Sequence, residues 1–330
     1  MGKELERFSR DKTIRVINDY ASRGIPFVFL ISFNGDENMV ATPSEAARAG
    51  FHIEMPGLVN HNLDNAPGEP IQFSKHPMEK NRYCEAFSHV IDQIHYGNSF
   101  LLNLTFPTPI ETNYSLRDIF LSSKAPYKLL MENELVVFSP ERFVRIQEDT
   151  ITSNPMKGTI DSKVPGAYRL LATDKKEDAE HNTIVDLIRN DLSSIASSVR
   201  VKRFKYIEKL RTHQGELLQM SSEITGKLPH NYKATLGERL FKLLPAGSIC
   251  GAPKKKTVEI IREVEGYERG FYTGIFGYFD GQNLDSAVAI RYIEKQDERL
   301  VFKSGGGITF QSDWEKEFDE MQKKVYVPIY

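Results

Sequence analysis

The sequence predicts an α+β fold built on antiparallel sheets. Strand-like runs arrive in short successive groups between helices, without the regular strand–helix–strand alternation of a doubly wound sheet. Helical periodicity is confined to separate segments whose ends carry capping or stop residues. No internal repeat or low-complexity tract points to a solenoid or a fibrous chain.

Phe27-Val28-Phe29-Leu30-Ile31 is the first strand candidate, followed by the turn-forming Asn34-Gly35-Asp36. Residues 55–77, rich in Pro, Gly and Asn, read as a long loop and a candidate boundary. Tyr83, Phe87, Val90, Ile91 and Ile94 recur at helical spacing up to a stop at Gly97-Asn98. From Phe100 to Arg145 the apolar runs are short and broken by Pro, Asn and Ser, as in an antiparallel sheet. Leu135–Phe138, Phe143–Ile146 and Ile151-Thr152 are the strand candidates there. Residues 161–176 read as a polar loop, and a helix then runs from about 176 to 195 with Ile184, Leu187, Ile188 and Leu192 inward. Helices at 234–244 and 253–264 precede strands at 273–279, 285–293 and 299–303. A last helix over 313–326 carries the stripe Trp314, Phe318, Met321 and Val325, with Ser312 and Glu315 as a capping-box pair.

Composition bounds the function from outside. At 330 residues the chain can bury a large core without covalent staples. Its 43 basic and 45 acidic residues leave a net charge of −2, so no basic excess directs it to nucleic acid. No run approaches the ~20 apolar residues of a spanning helix, so no membrane partner is expected. The N-terminus is charged where a signal peptide would be apolar. Cys84 and Cys250 are too few for a disulfide framework. A cytoplasmic protein is expected.

Several features can carry chemistry, each with a plainer reading beside it. Glu177/Glu180 and Glu317/Glu320 are two i, i+3 pairs on helices, each with both carboxylates on one face. Opposed, two such faces offer oxygen ligands to a hard cation such as Mg2+; apart, they are solvated surfaces. Glu180 extends the inward stripe of Ile184 and Leu187, which a merely solvated glutamate would avoid. Gly305-Gly306-Gly307 follows a strand and either exposes backbone N–H groups to an anion or makes a tight turn. Arg291 ends the apolar run Ala287–Ile290, as an anion clamp or a surface ion pair. Lys157, between turn-forming residues, is an exposed lysine or, if buried, a nucleophile or base. Glu141 is a lone carboxylate near a strand start. The glycine-containing run 247–256 lacks phosphate-loop spacing, and its three lysines begin a solvated helix. No H-E-x-x-H, C-x-x-C or G-x-S-x-G occurs, which removes the usual support for zinc and serine hydrolases.

In order, SFLLNLT (99–105), SPERF (139–143), PMKGT (155–159), AEHNTIVDLIRNDL (179–192), PAGSICGAPK (245–254), GIFGYFDGQNLDSAVAIR (274–291), SGGGI (304–308) and SDWEKEFDE (312–320) resemble the chorismate-utilising enzymes. That family includes anthranilate, aminodeoxychorismate and isochorismate branches. The resemblance covers roughly residues 80–328. It implies two large packed, mostly antiparallel sheets with helices outside, in an N-terminally shortened form. Residues 76–330 would be the catalytic domain, and residues 1–75 a segment completing its sheets. It further implies a Mg2+ site, with Glu180 and Glu317 matching metal ligands and Glu177 and Glu320 as companions. Arg291, Tyr272 and the Gly305–Gly307 N–H groups match a clamp on the enolpyruvyl carboxylate. Ser248 and Thr159 join the substrate-binding residues, and Glu141 matches the acid that protonates the departing 4-hydroxyl.

The branch turns on Lys157. The anthranilate and isochorismate branches look like P-x-A-G-T at this point, whereas the aminodeoxychorismate branch has lysine. The resemblance therefore implies amination of chorismate at C4 by ammonia through a covalent adduct on Lys157, a step toward p-aminobenzoate and folate. The ammonia would come from a separate glutamine amidotransferase subunit. Anthranilate synthesis and non-catalytic chorismate binding are the alternatives. Two positions depart from the family. Leu101 stands where the amino-transferring branches more often have Gln, and Gln219 where many members have His. The segment that binds tryptophan in the anthranilate branch has no evident counterpart, so no tryptophan feedback is expected.

Overall fold

The computed structural model describes residues 5–329 apart from 65, 174, 213 and 214; the side chains at 157–159, 172, 175–177, 210–212, 215 and 217 also lie outside the described set. Two large sheets form the frame, and every pairing in them is antiparallel. The first runs Met156–Asp161, Gly215–Lys227, Thr150–Ser153, Arg142–Gln147, Leu284–Val288, Ile275–Phe279, Phe27–Ile31 and Asn38–Ala41, with Ser197–Thr212 also paired to Gly215–Lys227. The second runs Gly251–Ala252, Leu101–Thr112, Arg299–Ile308, Tyr292–Gln296, Leu135–Ser139, Tyr127–Met131, Phe51–Met55 and Leu58–Val59, with Phe73–Lys75 beside Leu101–Thr112.

The period of two along each strand explains how the sheets pack. In Phe27–Ile31, Val28 and Leu30 join a core with Leu129, Met131, Leu135 and Val137 of the other sheet, so the sheets meet face to face. Phe27, Phe29 and Ile31 point the opposite way, into a core with Ile184, Ile188 and Leu192 of the helix Lys175–Ser193 and with Leu240 of Leu236–Leu243. Leu130, Val136 and Phe138 likewise face outward, under the helix Leu116–Ser122. Helices Lys80–His95, Lys254–Glu265 and Trp314–Lys323 cover the rest of that outer face through Tyr83, Ile260, Phe318 and Met321. Both faces of each sheet are thus buried, which is why Phe27–Ile31 is apolar throughout rather than alternating.

Five local expectations are corrected. Residues 116–122 form a helix within the stretch read as sheet; the signal was present, since Ser115 and Asp118 make a capping box. Residues 167–173, read as loop, are also helical. The run 285–293 is not one strand: it breaks between Leu284–Val288 and Tyr292–Gln296, with Arg291 at φ 54°. The glycine run is neither loop nor turn but part of the strand Arg299–Ile308. Finally, Asp313 caps the last helix by accepting the Lys316 N–H, while Ser312 turns its hydroxyl to Glu317.

Candidate active site

Two of the places where the chain passes from one sheet to the other lie side by side. Residues 140–141 link Leu135–Ser139 of the second sheet to Arg142–Gln147 of the first, and 289–291 link Leu284–Val288 back to Tyr292–Gln296. The crossings are tied together: the Val288 N–H donates to the Glu141 carbonyl and the Phe138 N–H to the Arg291 carbonyl, both at 3.1 Å. Antiparallel pairing of distant strands brings Glu141 and Arg291 to one place, although 150 residues separate them in the chain. They line a cleft of about 1680 Å³, open to solvent, with Tyr272, Ser248 and Gly305–Gly307. Glu180 enters it from the helix Lys175–Ser193, and Glu317 and Glu320 from Trp314–Lys323.

The glycines serve the cleft from within a strand. Gly305 and Gly307 stand opposite Thr105 and Asn103. Those partners use their backbone groups elsewhere: the Thr105 N–H donates to Glu265 at 2.8 Å, and the Asn103 carbonyl accepts from Arg269 at 2.6 Å. In an antiparallel pair, opposed residues that do not bond each other both point outward. Gly305 and Gly307 therefore present N–H and C=O to the edge that Tyr292–Gln296, which covers only residues 299–303 of this strand, leaves open. Lys324 Nζ takes the Gly305 carbonyl at 3.0 Å. Gly305 must lack a side chain, because a Cβ there would stand 2.5 Å from the Leu104 carbonyl oxygen.

Beneath this edge lies an ion pair that sequence reasoning missed. Glu265 and Arg269 are both buried, with Arg269 Nη2 2.5 Å from Glu265 Oε1 and Nε 2.8 Å from Oε2. The pair is fully engaged: Arg269 also reaches the Ile249 and Asn103 carbonyls, and Glu265 accepts from the Thr105 hydroxyl. It joins the helix Lys254–Glu265 to the strand Leu101–Thr112 of the second sheet. Lys303 adds a second buried cation, held by Glu294 at 2.8 Å and by the Arg269 carbonyl at 3.0 Å; burial pulls its ammonium below the usual lysine range. Burial pushes the Tyr272 phenol well up, so it stays protonated and can donate a hydrogen bond into the cleft.

Glu141 accepts a hydrogen bond from the Ser248 hydroxyl at 3.0 Å. Pro155, Met156 and Gln219 line the same wall. Lys157 and Thr159 follow on the strand Met156–Asp161, with a bulge between them, opposite Met220 and Gln219. Their side chains, and that of Glu177, lie outside the described residues. Leu101 also lines the cleft as an apolar wall.

The carboxylates suit a hard cation. Glu180 and Glu317 are 9% and 3% exposed and both line the cleft, where carboxylate oxygens are the donor type that a hard cation takes. Ser312 donates to Glu317 Oε1 at 2.7 Å and orients it. Among the described residues no three His, Cys, Asp or Glu side chains cluster as a complete metal set. One or two carboxylates completed by water and substrate oxygens is the usual arrangement for Mg2+. Lys324, 2.8 Å from Glu320, was also missed, although its spacing of four from Glu320 and seven from Glu317 places it on their face.

Comparison with known proteins agrees with this geometry. Residues 25–329 match the profile of the chorismate binding enzymes. An uncharacterized PabA-like protein of Haemophilus influenzae is 47% identical over 316 residues, covering 96% of each chain. Anthranilate synthase component 1 of Archaeoglobus fulgidus is 34% identical over 71% of this chain and 58% of its own. Aminodeoxychorismate synthase component 1 of Klebsiella aerogenes is 31% identical over 75% of this chain and 57% of its own. The chain thus spans little more than half the length of these two synthase components. The fold is shared with MenF, the menaquinone-specific isochorismate synthase of Escherichia coli, at a TM-score of 0.74 and 18% identity, over 97% of this chain and 82% of that one. Among the described residues no helix is long and apolar enough to cross a membrane. With nearly its whole length matched and both sheets shared, the chain belongs to the chorismate binding enzyme family.

Proposed function

We propose that this protein aminates chorismate at C4 with ammonia, giving 4-amino-4-deoxychorismate. The observation that carries the reading is the pairing of Glu141 with Ser248 in a cleft that also gathers Glu180, Glu317, Glu320 and the outward edge of the glycine strand. Glu180 and Glu317, with Glu177 and Glu320 beside them, would hold Mg2+. Bound there, the ion would neutralise the ring carboxylate of the substrate. Arg291, Tyr272 and the outward N–H groups of Gly305 and Gly307 hold the enolpyruvyl carboxylate; Ser248 and Thr159 complete the pocket.

In this reading Lys157 attacks as the neutral amine. Its lone pair forms a bond to C2, both conjugated ring double bonds shift by one position, and the C4–O bond breaks. Glu141 gives its proton to the departing hydroxyl, which leaves as water. Ammonia then attacks C4, both double bonds shift back, and Lys157 leaves with the electron pair of the C2–N bond. The proton released from the new amine returns to Glu141. Chorismate and ammonia become the amino product and water, with both residues restored.

A separate glutamine amidotransferase subunit supplies the ammonia in this account. Among the two cysteines, Cys250 is a poor candidate for a glutaminase nucleophile, since burial pushes its thiol up to about 11. Anthranilate synthesis is the second reading, favoured by the 34% identity to an anthranilate synthase component. The two separate in one assay. Chorismate, Mg2+ and ammonium should give a non-fluorescent product that a lyase converts to p-aminobenzoate. Fluorescent anthranilate without added lyase contradicts the proposal.

A further inference from the structure

A buried polar cluster behind the cleft takes no part in the chemistry above. His181 follows Glu180 on its helix and is wholly buried; its Nε2 lies 2.7 Å from the hydroxyl of Ser222, also wholly buried. Ser222 is a hub. Its hydroxyl accepts the Lys205 N–H at 3.0 Å, and its own N–H donates to the Pro155 carbonyl at 3.1 Å. With the Lys205 N–H on the oxygen, the hydroxyl proton is well used by donation to His181 Nε2. Lys205 itself sits at φ 48°, in the bulge between Arg203 and Tyr206, and its ammonium pairs with Asp178. Asp178 and His181 share a helical face one turn apart. A ring of contacts therefore joins the helix bearing Glu180 to the backbone two residues before Lys157.

We infer that His181 and Ser222 are positioning residues, whose hydrogen bond sets where Glu180 stands relative to the strand that carries Lys157. The roles of Glu180 and Lys157 rest on the proposed function; the juxtaposition is geometric. A single buried hydrogen bond between side chains adds little net stability, whereas its direction is strict. The polar pair occupies a place that apolar side chains would fill for packing alone. Displacing a reacting group by an ångström costs about a hundredfold in rate, so a directional tie at this point matters.

The test compares the full chain with His181→Ala, His181→Gln, Ser222→Ala and the double variant His181→Ala/Ser222→Ala. Mg2+ affinity is read by calorimetry, stability by thermal unfolding, and turnover by kcat and the chorismate KM. Each alanine variant should bind Mg2+ about tenfold more weakly and lose kcat more than it gains KM. His181→Gln, which returns a hydrogen-bonding atom near the Nε2 position, should recover most of the loss. The double variant should be no worse than the weaker single one, because both remove one interaction. Wild-type Mg2+ affinity and kcat combined with a lower melting temperature overturn the inference in favour of simple packing. So does a double loss equal to the product of the single losses. Should the alanine variants not fold, Ser222→Cys keeps the size, weakens the bond and carries the same comparison. A wild-type chain whose Mg2+ binding is indifferent to Glu180→Gln instead overturns the proposed function of the cleft, and this inference with it.

Discussion

The two sides of the cleft are held by different means. On the clamp side, Tyr272 and the glycine strand rest on Glu265 and Arg269, a buried ion pair with its hydrogen bonds made. On the other side, Glu180 and the strand Met156–Asp161 stand at the edge of the first sheet, tied by the Ser222 hub and by two strand bulges. The first arrangement is part of the core, so breaking it unfolds the neighbourhood. The second is local, so breaking it moves groups by small distances while the core survives. In the proposed reading, then, the substrate-binding side is fixed by burial and the side that carries Glu180 and Lys157 by short directional ties.

This contrast is open to attack from both sides. The largest effect belongs to Glu141→Gln, which keeps the shape and the contact with Ser248 but removes the transferable proton. Turnover should fall by about 10²–10⁴-fold with the melting temperature and chorismate binding unchanged. Equal loss of stability would show that Glu141 is structural. Next, Glu265→Ala leaves Arg269 buried and uncompensated, and should cost about 3–5 kcal/mol in urea unfolding. A cost below about 1 kcal/mol would place the clamp side in the same class as the other. Arg291→Lys should raise the chorismate KM, worth about 1.5–3 kcal/mol of binding, with little change in kcat. A change in kcat alone would move Arg291 to the reacting side. The smallest effect is on thiol chemistry. With its pKa near 11, Cys250 is about a thousandth ionised at pH 8, so iodoacetamide should modify the partly exposed Cys84 and spare Cys250 in the folded protein.

The sequence made one half of this contrast easier to read than the other. Glu180 was legible because it extends an apolar helical stripe, and Lys324 could have been found by the same rule. The strand Phe27–Ile31 followed from an unbroken apolar run before a turn, and the helices at 80–95 and 254–265 from local helix signals. The spacing of four between Glu265 and Arg269 stood in the sequence, but the burial of the pair did not, since it depends on this helix end packing against Thr105 and Asn103, far away in the chain. The break at 289–291 was hidden for a related reason. Ala287–Ile290 reads as continuous strand, and only the need to cross between sheets forces Arg291 to φ 54° and aims it at the cleft. The glycine run was misread because glycine usually marks a turn. Here the close approach of Leu104, a tertiary constraint, calls for it within a strand.

The central claim, that Lys157 forms a bond to the substrate, is tested most directly by intact-protein mass spectrometry of the chain with chorismate and Mg2+ but without ammonia. The account predicts a mass increase equal to chorismate less one water, located on Lys157, absent from Lys157→Ala and discharged when ammonium is added. No adduct in the wild type, together with full turnover by Lys157→Ala, would contradict it.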